Sequence, residues 1–136
     1  GLGLEDSVIF LGRRSDVADL MQAMDVFILP SYYEGLGIVA IEAQATGLRT
    51  ICSDRVPLDA RITELMERLP LEAGIGEWAK TILQYQEGYS RQDTSDQIMN
   101  AGFDIKQVAN SLERFYTGRI NSGKEKFINR KRGGNS

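Results

Sequence analysis

Histidine is absent from this 136-residue chain. That excludes Ser-His-Asp and Cys-His nucleophilic machinery, His-ligated metals and an imidazole general base within it. The one cysteine, Cys52, can build neither a disulfide framework nor a zinc site, and it suits a reducing compartment. No apolar run approaches the roughly 18 residues that a bilayer-spanning helix needs. An initiator methionine is also missing, as is a basic stretch leading into an apolar one. The opening Gly1-Leu2-Gly3-Leu4 is therefore expected to follow no secretory signal and to belong to a piece of a longer protein. Cationic excess is lacking too: the net charge of −3 argues against general nucleic-acid binding.

What is present suffices for a core. Hydrophobic residues make up 42% and charged residues 26%, which argues against wholesale disorder and for a single compact domain. The charge is unevenly spread. Residues 118–136 hold Arg119, Lys124, Lys126, Arg130, Lys131 and Arg132 against Glu125 alone, so the remainder is more acidic than the net charge suggests. An acidic body over 1–117 and a basic, flexible tail over 118–136 are expected.

Short apolar runs punctuate the first half. Val8-Ile9-Phe10-Leu11 closes on Gly12, Val26-Phe27-Ile28-Leu29 closes on Pro30, and Thr50-Ile51-Cys52-Ser53 follows Gly47. Unalternating runs of this kind suit strands covered on both faces of a parallel sheet. Between them lie helical patterns. Ser15 or Asp16 can cap a segment with Val17, Leu20, Met21 and Met24 at helical spacing. Residues 38–46 place Ile38, Ile41 and Ala45 on one face and stop at Gly47. Alternation of strand and helix predicts βαβ units. Past Pro57, short strand pieces are expected at Ile62-Thr63 and Leu69–Leu71 around a helical turn at 64–67. Helices are predicted near 76–86, with Trp78 in the core, near 93–101, and near 104–117 behind an Asp104 cap.

The segment from Pro30 to Asp54 carries the chemistry. A strand ends at Pro30, and a loop with Glu34, Gly35 and Gly37 feeds a helix starting near Ile38. The amides of Leu36, Gly37, Ile38 and Val39 then fall at an open helix N-terminus, where donors without partners and the positive dipole end welcome an anion. Glycines at 35 and 37 let the backbone approach a ligand closely. Carboxylates beside a phosphate site repel it unless they have other work, such as accepting hydrogen bonds from a diol. Glu34 and Glu42 flanking the anion site therefore point to a ligand with phosphates between two hydroxyl-rich ends, as in a nucleotide sugar. Tyr32 and Tyr33 line the sugar pocket or pack locally. Asp54 binds ligand or caps the following turn. Cys52 reads as a buried small hydrophobe.

Pro30-Ser31, Glu34-Gly35, Gly37, Glu42-Ala43, Ala45, Gly47 and Ser53-Asp54 together resemble the donor-binding half of the retaining GT-B glycosyltransferases of family 4. Phe10-Leu11-Gly12 and the amphipathic 15–24 segment are similar to that family's approach to the motif. The stretch from Gln44 to Thr63, with Glu77-Trp78-Ala79, is similar to its capsular and exopolysaccharide branch. The resemblance covers about residues 3–117.

It implies an α/β fold: a partial Rossmann-like parallel sheet with flanking helices, the C-terminal domain of a GT-B enzyme without its first strands. It implies transfer of a sugar from a nucleotide-sugar donor, UDP-linked by expectation, to a lipid-linked or glycan acceptor in surface polysaccharide synthesis. In that scheme Glu42 holds the ribose hydroxyls and Glu34, the catalytic candidate, stands at the donor sugar. Gly35, Leu36 and Gly37 face the sugar and diphosphate, Ile38 and Val39 offer amides to the distal phosphate, and Arg13 and Arg14 lie near the base. The sequence contains no Asp-x-Asp, in keeping with the family's metal-independent habit, so neither metal nor other cofactor is expected.

Departures from the family are visible. Arg49 stands where proline is frequent, predicting a looser turn, and Arg55-Val56-Pro57 replaces a glycine-rich stretch. In the sheet order 3-2-1-4-5-6, the 8–11 run would be strand 3 and the 26–29 run strand 4, with the first two strands between them. Unpaired edges then predict marginal stability as a monomer, self-association and no activity for the fragment alone. The basic run 119–132 would suit an anionic membrane surface at about 1 kcal/mol per cation, hence a cytoplasmic protein, peripheral at the inner face of the plasma membrane. Two alternatives stand beside the transferase: a non-catalytic nucleotide-sugar-binding or truncated module, and a GT-B-fold sugar-nucleotide epimerase.

Overall fold

A computed structural model describes residues 2–103. The expected helix over 104–117 and the basic segment 118–136 lie outside the described residues. Three strands, β1 (Val26–Leu29), β2 (Arg49–Ser53) and β3 (Met66–Leu69), form one parallel sheet in the order β1-β2-β3. Val26 pairs with Arg49 and Leu29 with Cys52, while Thr50 pairs with Met66 and Ser53 with Leu69. Among the described residues four helices accompany the sheet: α1 (Val17–Ala23), α2 (Ile38–Ala45), α3 (Gly74–Leu83) and α4 (Ser95–Asn100). The expected α/β, partial Rossmann-like fold is what forms.

The crossover from β1 to β2 is α2, as the apolar spacing predicts. Its end is a Schellman closure: Gly47, at φ 72°, donates to the Gln44 carbonyl at 3.0 Å and Leu48 to the Ala43 carbonyl at 3.1 Å. The turn is not loosened by Arg49. The Arg49 N–H donates to the Tyr89 hydroxyl at 2.7 Å, a bond that proline could not make, and Tyr89 in turn donates to the Asp25 carbonyl at 2.8 Å. The Arg49 guanidinium stacks over both Tyr85 and Tyr89.

Other expectations need correction. Val8–Leu11 forms no strand, and its side chains are exposed, Phe10 at 94%. An apolar run becomes a strand only by pairing, and none of the described residues lies alongside it as a partner. The pieces at 62–63 and 69–71 and the helical turn at 64–67 are replaced by β3 at 66–69, flanked by 3-10 turns at Leu58–Ala60 and Leu71–Ala73. Two charged residues in Met66-Glu67-Arg68-Leu69 conceal a strand that, among the described residues, has a neighbour on one side only. Helix α3 begins and ends earlier than 76–86, and α4 is shorter than 93–101. Trp78 is half-buried rather than central, its indole N–H donating to the Pro70 carbonyl at 3.1 Å. Asp16 occupies the N-cap of α1, but its carboxylate pairs with Arg14 and not with the helix amides.

Helix α2 is the centre of the core. Ala40, Ile41, Ala43 and Gln44 are buried, whereas Ile38 and Ala45 of the expected face are only partly so. The reason is that α2 is enclosed on several sides. Ala40 and Ile41 pack with Cys52, Val56, Ala60, Met66 and Ile98, and Ala43 packs with Met21 and Leu48. Gln44, fully buried, donates to the carbonyls of Ala40 (2.9 Å) and Ala60 (2.7 Å). Its Oε1 accepts from the amides of Ile62 (3.1 Å) and Thr63 (3.0 Å) and from the Thr63 hydroxyl (3.1 Å). One amide side chain thus holds the β2–β3 connection against α2. From the other end, Arg91 donates to the carbonyls of Met21, Met24 and Thr46, and Thr94 donates to the Gln44 carbonyl at 2.7 Å.

Cys52 sits in this core at 0% exposure. Burial, opposed by Arg68 and reinforced by Glu34, pushes its thiol up to about 12. Since the thiolate is the reactive form, iodoacetamide at pH 8 is expected to leave native Cys52 unmodified over hours and to alkylate it within minutes in denaturant. Rapid native alkylation, followed by intact mass, would contradict this packing.

Candidate functional site

The loop from Pro30 to Leu36 leaves β1 at the carboxyl end of the sheet and turns into α2 through Gly37. Gly37 is the N-cap in the left-handed region, at φ 76°, and it is buried. No side chain caps the helix. Ala40 and Ile41 donate to the Gly37 carbonyl at 2.9 and 3.2 Å, whereas the amides of Ile38 and Val39 meet no acceptor among the described residues. Two donors and the positive end of the helix dipole are therefore unsatisfied at the carboxyl end of three parallel strands, where ligands of open α/β sheets bind.

The two glycines differ. A Cβ on Gly35 would meet open space, so Gly35 leaves room on the approach side. A Cβ on Gly37 would lie 2.9 Å from Val56 Cγ1 and 3.2 Å from Ala60 Cβ. The β2–β3 connection is thus packed directly behind the helix start, and Gln44 ties that connection down. The end of β2 is tied to the same loop by the Ser53 hydroxyl, which donates to the Ser31 carbonyl at 2.5 Å.

Glu34 is half-buried in the loop, its Cγ 3.7 Å from the position a Gly37 Cβ would take. Glu42 is half-buried on the second turn of α2, and burial raises its carboxyl above the ordinary value. Neither carboxylate forms an ion pair or hydrogen bond among the described residues, so both keep their acceptor capacity. Leu36 is exposed, and Tyr32 and Tyr33 are 86% and 90% exposed beside Glu34. The structure therefore brings together Glu34, Gly35, Leu36, Gly37, Ile38, Val39 and Glu42. Arg13 and Arg14 stand in the exposed segment before α1, with Arg14 bound to Asp16 at 2.5–2.7 Å.

Two residues were missed by sequence reasoning. Gln44 positions the site from below, and a lone glutamine in a helix carries no signal of burial. Arg68 stands at the carboxyl end of β3, its Nη2 donating to the Asp54 carbonyl at 2.5 Å and its Nε buried without an acceptor. Asp54 caps no turn: its Oδ1 is buried without a hydrogen bond, 3.6 Å from Arg55 Nε.

Comparison with known proteins places the sequence in a family. The family model of the glycosyl transferases group 1 matches residues 1–88. The chain is 37% identical over 117 residues to the glycosyltransferase EpsF of Bacillus subtilis (strain 168), covering 83% of this chain and 30% of that protein. It is 42% identical over 53 residues to the UDP-Gal:alpha-D-GlcNAc-diphosphoundecaprenol alpha-1,3-galactosyltransferase of Escherichia coli, covering 39% of this chain and 14% of that one. It is 46% identical over 48 residues to the N,N'-diacetylbacillosaminyl-diphospho-undecaprenol alpha-1,3-N-acetylgalactosaminyltransferase of Campylobacter jejuni, covering 35% and 13%. The chain thus spans less than a third of the length of these relatives. With the family model covering well over half of it, and with a parallel sheet opening onto a glycine-led helix, the chain belongs to the group 1 glycosyltransferases.

Proposed function

We propose that this chain forms the donor-side part of a retaining glycosyltransferase that uses a nucleotide sugar, with UDP as its nucleotide. The observation that carries the reading is the open start of α2: two acceptor-less amides set between two uncommitted carboxylates. Phosphate oxygens accept from Ile38 and Val39, Glu42 accepts from the ribose diol, and Glu34 faces the sugar. As the anomeric C–O bond to the diphosphate breaks, negative charge grows on the leaving phosphate, and the helix amides and dipole stabilise it without reorganising. The acceptor hydroxyl oxygen bonds to the anomeric carbon on the face the diphosphate leaves, and its proton passes to the departing phosphate oxygen. The relatives from E. coli and C. jejuni are named for diphosphoundecaprenol-linked substrates, which supports a lipid-linked acceptor here and a place in surface polysaccharide synthesis. Among the described residues no helix is long and apolar enough to cross a membrane.

An amide-resolved NMR titration with UDP tests the reading, with GDP as comparison. Shifts are expected at residues 34–42, and Glu42→Gln is expected to weaken binding about tenfold or more, the scale of a lost charged hydrogen bond. Absent shifts at Ile38 and Val39 would overturn it.

Glu42 also makes a prediction about stability. Its folded carboxyl titrates above the unfolded value, so ionisation is disfavoured in the fold. Its penalty is absent below the unfolded value, near 4.5, and grows as pH rises through the raised folded one. Glu42→Gln is therefore expected to melt at or above the wild-type temperature at pH 7, with the difference shrinking towards pH 4. A Glu42→Gln protein that melts lower at pH 7 than at pH 4, relative to wild type, would contradict it.

A further inference from the structure

We propose that Arg91 is a positioning residue of the donor site. Its one guanidinium ties the ends of α1 and α2 together and so keeps the buried Met21 packed behind Val39, which carries one of the two open amides. This inference rests on the donor reading above and deepens it, by naming what sets the geometry of the α2 start from outside the binding loop.

Neither helix ends on a cation of its own. α1 and α2 have no basic residue in the last turn, so their final carbonyls and the negative ends of their dipoles need a partner from elsewhere. Arg91 supplies it to both. Its Nη2 donates to the carbonyl of Met21 at 2.9 Å and to that of Met24, the C-cap of α1, at 2.5 Å. Its Nη1 donates to the carbonyl of Thr46, the C-cap of α2, at 3.0 Å. A rigid planar fork can serve two helix ends at once, which the compact ammonium of a lysine cannot match. The backbone around Arg91 is held as well. A Cβ on Gly47 would lie 2.6 Å from the Gln92 carbonyl oxygen and 3.3 Å from Arg91 Cβ, so this segment crosses directly over the glycine that ends α2. On one side of it Tyr89 is bound to Asp25 and Arg49, and on the other Thr94 is bound to Gln44. All these residues follow residue 88, where the match to the family model ends.

The route from Arg91 to the site runs through α1. A helix of seven residues is not stable alone. Asp16 gives it no capping bond, and Met21 is its only buried residue. Met21 packs with Ala43 and Leu48, and Val39 packs against the same group. Releasing the end of α1 therefore withdraws Met21 from behind the first turn of α2. The remainder of α2 stays held by Gln44 and by the packing of Ala40 and Ile41. Arg91 touches no ligand in this scheme and acts through Met21 and Val39.

The test uses the 15N-labelled chain with UDP as the probe, at a temperature where melting curves show each variant folded. Arg91→Met is expected to move the amide resonances of α1 and of Val39 in the free protein and to raise the UDP Kd about tenfold. Arg91→Lys keeps the charge without the fork, and it is expected to recover only part of that affinity. Tyr89→Phe is the control, because it removes bonds from the same segment to the sheet and none to α1. Its melting temperature should fall while its UDP Kd stays at the wild-type value. A UDP Kd unchanged in folded Arg91→Met, or raised equally by Tyr89→Phe, would reduce Arg91 to a structural role and leave the donor site standing. UDP without effect at Ile38 and Val39 of the wild type would overturn the donor reading and the positioning role with it. If Arg91→Met does not fold, Arg91→Lys decides by the same comparison with Tyr89→Phe.

Discussion

Replacing Gln44 by alanine is expected to cost about 4 kcal/mol of folding stability, from stranded polar groups and the cavity left behind. The Thr63 amide loses its acceptor, and the Ala60 carbonyl keeps only the Ile62 amide at 3.1 Å. The Ala40 carbonyl loses its side-chain donor as well. Since a domain of this size has about 5–15 kcal/mol in total, the midpoint of thermal unfolding should fall by roughly 20 °C. Glutamate separates the polar from the steric part. Its shape fits, and one oxygen still accepts from Ile62 and Thr63. The other faces the Ala40 and Ala60 carbonyls, where only a protonated carboxyl can donate. Burial and those carbonyls hold the carboxyl of Gln44→Glu above its unfolded value of about 4.3. The substitution is therefore tolerated best below that value and loses stability as pH rises through the raised folded one. Urea denaturation at pH 4 and pH 7.5 measures this. A Gln44→Glu protein as stable relative to wild type at pH 7.5 as at pH 4 would mean that the amide N–H donors contribute nothing.

The reason Gln44 is silent in the sequence also explains what else could be read there. β1, β2 and α2 are legible because their signals are local: continuous β-branched runs closed by Pro30 or opened after Gly47, and a helix with a glycine at each end. The open start of α2 is legible for the same reason, since a strand end, two glycines and a helix start are contiguous from Leu29 to Val39. What depends on neighbours distant in sequence is not. Val8–Leu11 has the composition of a strand, but pairing decides, and it has no partner among the described residues. β3 has the pairing without the composition, because Glu67 and Arg68 are tolerated on a strand with a single neighbour among the described residues. The Arg49 amide finds Tyr89, 40 residues on, so the absence of proline there reads as a departure until the tyrosine is seen to fill it. Arg68 is legible only through register, which sets it beside Cys52 under α2.

Gly37→Ala is expected to be the most damaging single change at the site itself, costing about 3 kcal/mol, while Gly35→Ala is expected to stay within about 0.5 kcal/mol of wild type. Two separate effects act at Gly37. A φ of 76° costs an L-residue roughly 1–2 kcal/mol. The new methyl would also lie 2.9 Å from Val56 Cγ1 and 3.2 Å from Ala60 Cβ, an overpacking worth about 1–3 kcal/mol. The two can be told apart. Val56→Ala removes the nearer contact but not the backbone strain, so Gly37→Ala/Val56→Ala should be less destabilised than the sum of the single changes by about 1 kcal/mol or more. Additivity within about 0.3 kcal/mol would show that strain alone sets the cost and that the β2–β3 connection does not press on the helix start. Binding adds a second reading. Relief through Val56 restores the fold but lets the connection settle differently behind Ile38 and Val39, so the UDP affinity of the double variant should stay below wild type even where its melting recovers. A double variant that regains both together would place the anion site on the helix amides alone, independent of the loop that Gln44 and Arg68 hold in place.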